Sequence, residues 1–379
     1  MLGFSPIFAT GTIAAAVADP SYLTWTADSQ IRHGVKKTFG YTQATLYEGY
    51  EAAIALNKNQ TLVDWYRGQI DPLVNPDGSI VNWNYTHYSL DDYRIGNNFL
   101  WWYDRTGEEK YKKAAQIIRD QLNRHPQNKE GGFWHRSPIY KDQMWLDGIF
   151  MADTFYATWT KQFDNGNATA WDHVVKQFDN IEKYTRNKTT GLLVHGYDES
   201  KSKVWADPVT GAAPNVWSRA VGWYFMSLLE VIPQLPANHP GKARLVNYYT
   251  KLAAALKKTQ DTSGGWWLIM NEPYPGAKGN YIESSASAMF TYGLLKGIRD
   301  GYLKEKDYFT SAKKGYDLLT KKFNSVRADG TLDWQGTVEV GSLNSNGTYE
   351  YYIGVPLAVN DYKGVGPFML ASYEIETWN

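Results

Sequence analysis

The feature that most constrains the fold is a segment that returns five times: a turn, a glycine, then a short aromatic or histidine-bearing tip. It reads Pro76-Asp-Gly-Ser-Ile-Val-Asn-Trp83, Glu130-Gly-Gly-Phe-Trp-His135, Thr190-Gly-Leu-Leu-Val-His195, Ser263-Gly-Gly-Trp-Trp267 and Asp329-Gly-Thr-Leu-Asp-Trp334. Copies stand about 55–75 residues apart, and each interval holds two helical stretches. Strand signals are sparse, and helical periodicity predicts twelve helices, near 21–33, 42–57, 60–74, 90–105, 108–124, 143–161, 168–185, 216–232, 240–260, 284–299, 305–323 and 365–375. A helical hairpin cannot bury its apolar face alone, so hairpins stack. Six of them closing on themselves make an all-α fold, an (α/α)6 barrel. The apolar helices (143–161, 216–232, 284–299) belong to its inner ring and the Lys-rich ones (108–124, 240–260, 305–323) to the outer. An open superhelix is the alternative; six hairpins with aromatic tips at one end favour closure. No linker divides residues 21–379, which read as one domain behind an apolar segment, 1–20.

Composition narrows the partners. Lys+Arg and Asp+Glu both number 39, so there is no basic field to steer a nucleic acid, and none is expected. The 16 Trp and 28 Tyr offer flat faces suited to sugar rings, though some must be core filler. Residues 1–18 end in Ala16-Val17-Ala18, like a signal-peptidase site, and sequons occur at Asn59, Asn84, Asn167, Asn187 and Asn346. The Ala-x-Ala pattern makes secretion the expectation; no Lys or Arg precedes that stretch, so a cytoplasmic location is the alternative. No apolar run reaches membrane-spanning length, and no membrane partner is expected.

One carboxylate lies where an apolar helix is expected, in Asp142-Gln-Met-Trp-Leu-Asp-Gly-Ile-Phe-Met-Ala-Asp153. Met144, Phe150 and Met151 would share the side of Asp147, and burial there should raise its pKa unless donors compensate. A raised carboxyl suits general acid–base work; a buried structural Asp is the other reading. Asp142 is expected to cap that helix. In Ser89-Leu-Asp-Asp92 the capping-box spacing assigns Asp92 to a helix start, leaving Asp91 free to face a cavity, with His87 just upstream. In Asn215-Val-Trp-Ser-Arg-Ala-Val-Gly-Trp223, Arg219 and Trp223 share a face behind Trp217. They form either a clamp for a carboxylate-bearing sugar or an Arg–Trp stack in the core, and Gly222 leaves room for a ligand to approach. His195 is a further polar candidate. His135 and His195 lack metal-ligand spacing, so no metal is expected, and no cofactor fingerprint is present.

Five blocks give a resemblance. Met144-Trp-Leu-Asp-Gly148, Leu193-Val-His-Gly-Tyr-Asp198, Trp217-Ser-Arg-Ala-Val-Gly-Trp223, Glu283-Ser-Ser-Ala-Ser-Ala-Met289 and Lys363-Gly-Val-Gly-Pro-Phe-Met-Leu370 resemble, in order, the signatures of the unsaturated rhamnogalacturonyl hydrolases, glycoside hydrolase family 105. The resemblance implies an (α/α)6 barrel without cofactor. Its implied substrate is a small oligosaccharide from a rhamnogalacturonan lyase, ending in a 4,5-unsaturated galacturonyl residue. Such enzymes protonate C4 of the enol ether and add water at C5, and the hemiketal then collapses. By motif, Asp147 matches the acid/base and Asp91 the second active-site Asp. Trp145, His195, Trp217, Arg219 and Trp223 match binding positions. Two departures stand near the first hairpins: Arg94 where an Asn is expected nearby, and Tyr41 in place of a Trp.

The rival readings are an unsaturated glucuronyl hydrolase on glycosaminoglycan fragments, a His-based epimerase, a conventional inverting glycosidase and a non-catalytic sugar-binding protein. All fit the same barrel, so fold alone does not separate them.

Overall fold

The computed structural model describes residues 21–378; the expected leader segment lies outside them. Twelve long helices are present among the described residues. They are α1 (Tyr22–His33), α2 (Tyr41–Asn57), α3 (Gln60–Ile70), α4 (Ile95–Thr106) and α5 (Glu109–Leu122). Next comes α6, made of Leu146–Gly148, a π turn Ile149–Asp153 and Thr154–Phe163. Then follow α7 (Ala168–Thr185), α8 (Ser218–Val231), α9 (Pro240–Thr259), α10 (Ser284–Arg299), α11 (Glu305–Lys322) and α12 (Tyr362–Glu376). The even-numbered helices pack in sequence, α2 on α4 and so on, and α12 returns to α2, closing the inner ring. The odd-numbered helices lie outside.

The two rings differ in composition as their positions demand. In α8 every residue from Ser218 to Leu229 is buried, which an apolar run with Gly and Ala allows. In α11 only Ser311, Ala312, Gly315, Tyr316 and Leu319 are buried, one stripe on a helix otherwise rich in Lys. Gly222 in α8 admits no ligand: a Cβ there would meet the Met289 sulfur of α10 at 2.4 Å. It serves inner-ring packing.

The hairpin tips carry six short strands: β1 (Gln143–Trp145), β2 (Gly196–Asp198), β3 (Asn324–Val326), β4 (Leu332–Trp334), β5 (Thr337–Val338) and β6 (Leu357–Ala358). The first pair corrects a helix boundary. β1 pairs antiparallel with β2, Trp145 opposite Gly196, so the helix expected from 143 starts at 146 and Asp147 falls in its first turn. Asp142 is not its cap; its φ of 61° turns the chain into β1. Trp145 takes the cap position without a side-chain bond. Only glycine fits at 196, where a Cβ would lie 2.5 Å from the Met144 carbonyl oxygen. That close pairing brings His195 alongside Asp147, and Leu146 N–H donates to the His195 carbonyl at 3.0 Å.

The capping box at Ser89 is also absent. Ser89 Oγ accepts from Arg136 Nε at 3.0 Å, and Asp92 bonds His87 Nδ1 at 2.9 Å instead. Ser89 turns to the next hairpin tip and Asp92 to a nearby loop residue, because the segment begins as a 3-10 turn, Leu90–Tyr93.

Candidate active site

The N-terminal ends of the inner helices open on a cavity of ≈ 130 Å³. Of the residues singled out in the sequence, Tyr41, Asp91, Trp145, Asp147, Trp217, Arg219 and Trp223 line it; His195 stands behind Asp147 and is fully buried. The remaining wall includes Arg136, Tyr140 and Met151, and a strap, Val340-Gly-Ser342, that crosses the mouth. Gly341 lets that strap touch Trp217, whose ring a Cβ would meet at 2.8 Å.

Asp147 is held from behind. His195 Nε2 lies 3.0 Å from its Oδ2. Burial alone would push the carboxyl up, but the adjacent His195, with His135 nearby, outweighs it and holds the pKa below the ordinary 3.8, although as built neither Asp147 Oδ2 nor His195 Nε2 completes a hydrogen bond. The raised pKa expected from an apolar helix is therefore corrected: the compensating group comes from another hairpin. Also lining the cavity, Asp91 accepts from Arg136 Nη2 at 2.8 Å and faces His135 Nε2 at 3.6 Å. His135 is stacked on Trp145 at 4.2 Å and 12°, and burial lowers its pKa, so it is neutral at pH 7 between two carboxylates. Tyr41 meets Trp223 edge-on, ring centroids 6.4 Å apart, and burial with the Asp91 charge keeps its hydroxyl protonated.

Arg219 combines the two readings of its motif. Its guanidinium lies over Trp217 at 4.7 Å and it lines the cavity, yet it is 1% exposed. The terminal nitrogens donate to the carbonyls of Val338 and Glu339, and Glu283 approaches at 4.0 Å. Nε alone lacks a partner. A bidentate clamp on a ligand carboxylate, expected from the sequence, thus requires Arg219 to give up the carbonyls of Val338 and Glu339, the residues that lead into the strap; as built, it holds them and its Nε stays buried.

Arg94, the departure near Asp91, points away from the cavity. It is buried on the barrel axis, pairs with Glu48 and with Glu230 at 2.9 Å, and lies 3.7 Å over Phe150. Phe150 in turn stacks on Trp223 at 4.6 Å. A wider pocket of ≈ 550 Å³, with Glu48 and Glu230 in its wall, opens at the far end of the barrel beyond this plug.

His135 and Arg136 were not selected from the sequence as ligand contacts, although His135 ends one of the recurring tips as His195 ends another. Nothing local marks Tyr352, whose hydroxyl lies 2.7 Å from His195 Nδ1.

A double ring of helices with two carboxylates facing a tryptophan-walled cavity at one mouth is the build of a helical-barrel glycoside hydrolase. The chain belongs to Glycosyl Hydrolase Family 88, whose model matches residues 17–378. It is similar to a family 105 glycoside hydrolase of C. acetobutylicum, 37% identical with a TM-score of 0.90, covering 95% of this chain and 100% of that one. It is also 26% identical over 306 residues to an unsaturated 3S-rhamnoglycuronyl hydrolase of Alteromonas sp., covering 77% of this chain and 68% of that protein. An unsaturated rhamnogalacturonyl hydrolase of Bacillus subtilis is 24% identical over 253 residues, covering 65% and 66%. The resemblance read from the five blocks agrees with these relatives, and the all-α barrel with the solved structure.

Proposed function

We propose that the protein is an unsaturated rhamnogalacturonyl hydrolase. It removes the 4,5-unsaturated galacturonyl residue from the non-reducing end of rhamnogalacturonan lyase products. The observation that carries this reading is the pair Asp147 and Asp91 in a cavity of ≈ 130 Å³, room for about one sugar ring, walled by Trp145, Trp217 and Trp223. Asp147 delivers a proton to C4 of the enol ether, C5 gains oxocarbenium character, and Asp147 then deprotonates the water that adds there. The hemiketal at C5 opens by breaking C5–O5, leaving a C5 ketone and a hemiacetal at C1. That hemiacetal then breaks its bond to the rhamnose oxygen, which leaves as the hydroxyl while C1 becomes an aldehyde. Asp91, held by Arg136, steadies the water or the ring hydroxyls.

The ionised state of Asp147 in the free site fits this chemistry. A uronate anion entering beside two carboxylates raises their proton affinity, so substrate binding loads the acid. The alternative, an unsaturated glucuronyl hydrolase, shares the chemistry and the barrel fold. Comparing kcat/KM on an unsaturated galacturonyl–rhamnose disaccharide and an unsaturated glucuronyl glycosaminoglycan disaccharide decides between them. A preference of at least about tenfold for the first is expected, about 1.4 kcal/mol of differential transition-state binding. A preference for the second overturns the galacturonyl assignment.

A further inference from the structure

Tyr352 sits in a short helix, Tyr349–Ile353, far along the chain from either carboxylate, and is 1% exposed. Its ring stacks on Trp217 at 5.8 Å and 27°, and its hydroxyl lies 2.7 Å from His195 Nδ1. Among the described residues that hydroxyl has no other hydrogen-bond partner. Burial and the nearby Asp147 charge keep the phenol protonated, so it has one hydrogen to give and one acceptor to give it to. A neutral imidazole that accepts at Nδ1 carries its hydrogen on Nε2, the atom 3.0 Å from Asp147 Oδ2.

We propose that Tyr352 is a positioning residue that fixes His195 as the Nε2–H tautomer, so that the ring edge turned to Asp147 carries a hydrogen and not a lone pair. With the other tautomer two lone pairs would face each other across 3.0 Å, and Asp147 would lose the group that stabilises its charge. The same short helix supports the cavity wall: the Tyr351 hydroxyl accepts from Ser342 N–H of the strap at 2.9 Å. One element thus sets both the proton arrangement behind Asp147 and the wall in front of it. The other titratable groups lining the cavity include His135, stacked on Trp145 at 4.2 Å, and Asp91, 3.6 Å from His135 Nε2. The inference rests on the acid/base reading of Asp147 for its kinetic consequence, though not for its structural one.

The test uses the full chain with 15N-labelled histidine, wild type and Tyr352→Phe, which keeps the stack on Trp217. Long-range 1H–15N correlation spectra at neutral pH should show wild-type His195 as a single Nε2–H tautomer and the variant as a mixture. Turnover of the unsaturated disaccharide should fall roughly 10- to 100-fold in kcat with KM changed less than about threefold. An Nδ1–H tautomer in the wild type overturns the proposal without any variant. An unchanged tautomer in Tyr352→Phe also overturns it, as does an unchanged kcat despite a shifted tautomer. If the wild type turns over no unsaturated uronide, the functional reading fails by itself, and the two spectra still decide the role of Tyr352.

Discussion

His195 Nε2 lies 3.0 Å from Asp147 Oδ2, the histidine fully buried and the aspartate at the cavity wall. The contact joins two hairpin tips that the β1–β2 pairing holds together, and it determines the charge of the empty site. Asp147 waits as a carboxylate, and substrate brings the conditions under which it takes a proton.

Proton uptake on binding follows. Calorimetric titration of Asp147→Asn and wild type with a slow or inhibitory unsaturated uronate, in two buffers of different ionisation enthalpy, reads it directly. Wild type should take up a fraction of a proton that grows as pH falls from 7 toward 5, because the bound uronate raises a carboxyl that is depressed in the free protein. The Asn variant should take up none at that site.

Asp147→Asn should lower kcat by about 10³-fold or more while leaving the melting temperature within a few degrees. The amide keeps the shape of the carboxylate beside His195, whose bond to Tyr352 through Nδ1 is untouched. Steady-state kinetics beside circular dichroism melts check both halves. Residual turnover near wild type would place the acid elsewhere.

Arg219→Ala should act on both stability and substrate capture. The guanidinium holds the carbonyls of Val338 and Glu339 beside the buried Glu283, so its loss should destabilise by about 3–5 kcal/mol and free the strap. kcat/KM should fall through KM more than through kcat. Arg219→Lys keeps the charge without the fork and should recover only part of either effect. Urea unfolding and kinetics on the same preparations separate the two roles.

Glu51 predicts a pH dependence far from the site. Burial raises its carboxyl from 4.5 to about 7, against hydrogen bonds from Tyr66 at 2.7 Å and Asn98 at 2.9 Å. Above pH 4.5 the unfolded chain ionises this group and the folded one does not, so its contribution to stability falls as pH rises and levels off above about 7. Glu51→Gln retains an acceptor and removes the titration. Its advantage over wild type should grow from near zero at pH 4 toward about 3 kcal/mol at pH 8, measured by denaturant unfolding.

The helices were legible because their signals are local. Glycine–aromatic tips, apolar runs and Lys-rich stripes each act within one hairpin, and twelve expected helices correspond to twelve long ones. What escaped was the chemistry decided between hairpins. The depressed pKa of Asp147 comes from His195, across the β1–β2 pairing, and no pattern around Asp147 announces it. Likewise the grip of Arg219 on Val338 and Glu339 and the hydroxyl of Tyr352 join segments more than a hundred residues apart. The helix boundary at 143 misled for a smaller reason: three apolar-flanked residues pair as a strand because Gly196 lets a second backbone come close.

The central claim is hydration of an enol ether, and ultraviolet absorbance over time tests it most directly. The protein is mixed with a lyase-generated unsaturated rhamnogalacturonan disaccharide, beside its saturated counterpart. The account predicts loss of the enol-ether absorbance, release of rhamnose-ended product and no action on the saturated sugar. Cleavage of the saturated sugar, or unchanged absorbance with both galacturonyl and glucuronyl unsaturated substrates, would contradict it.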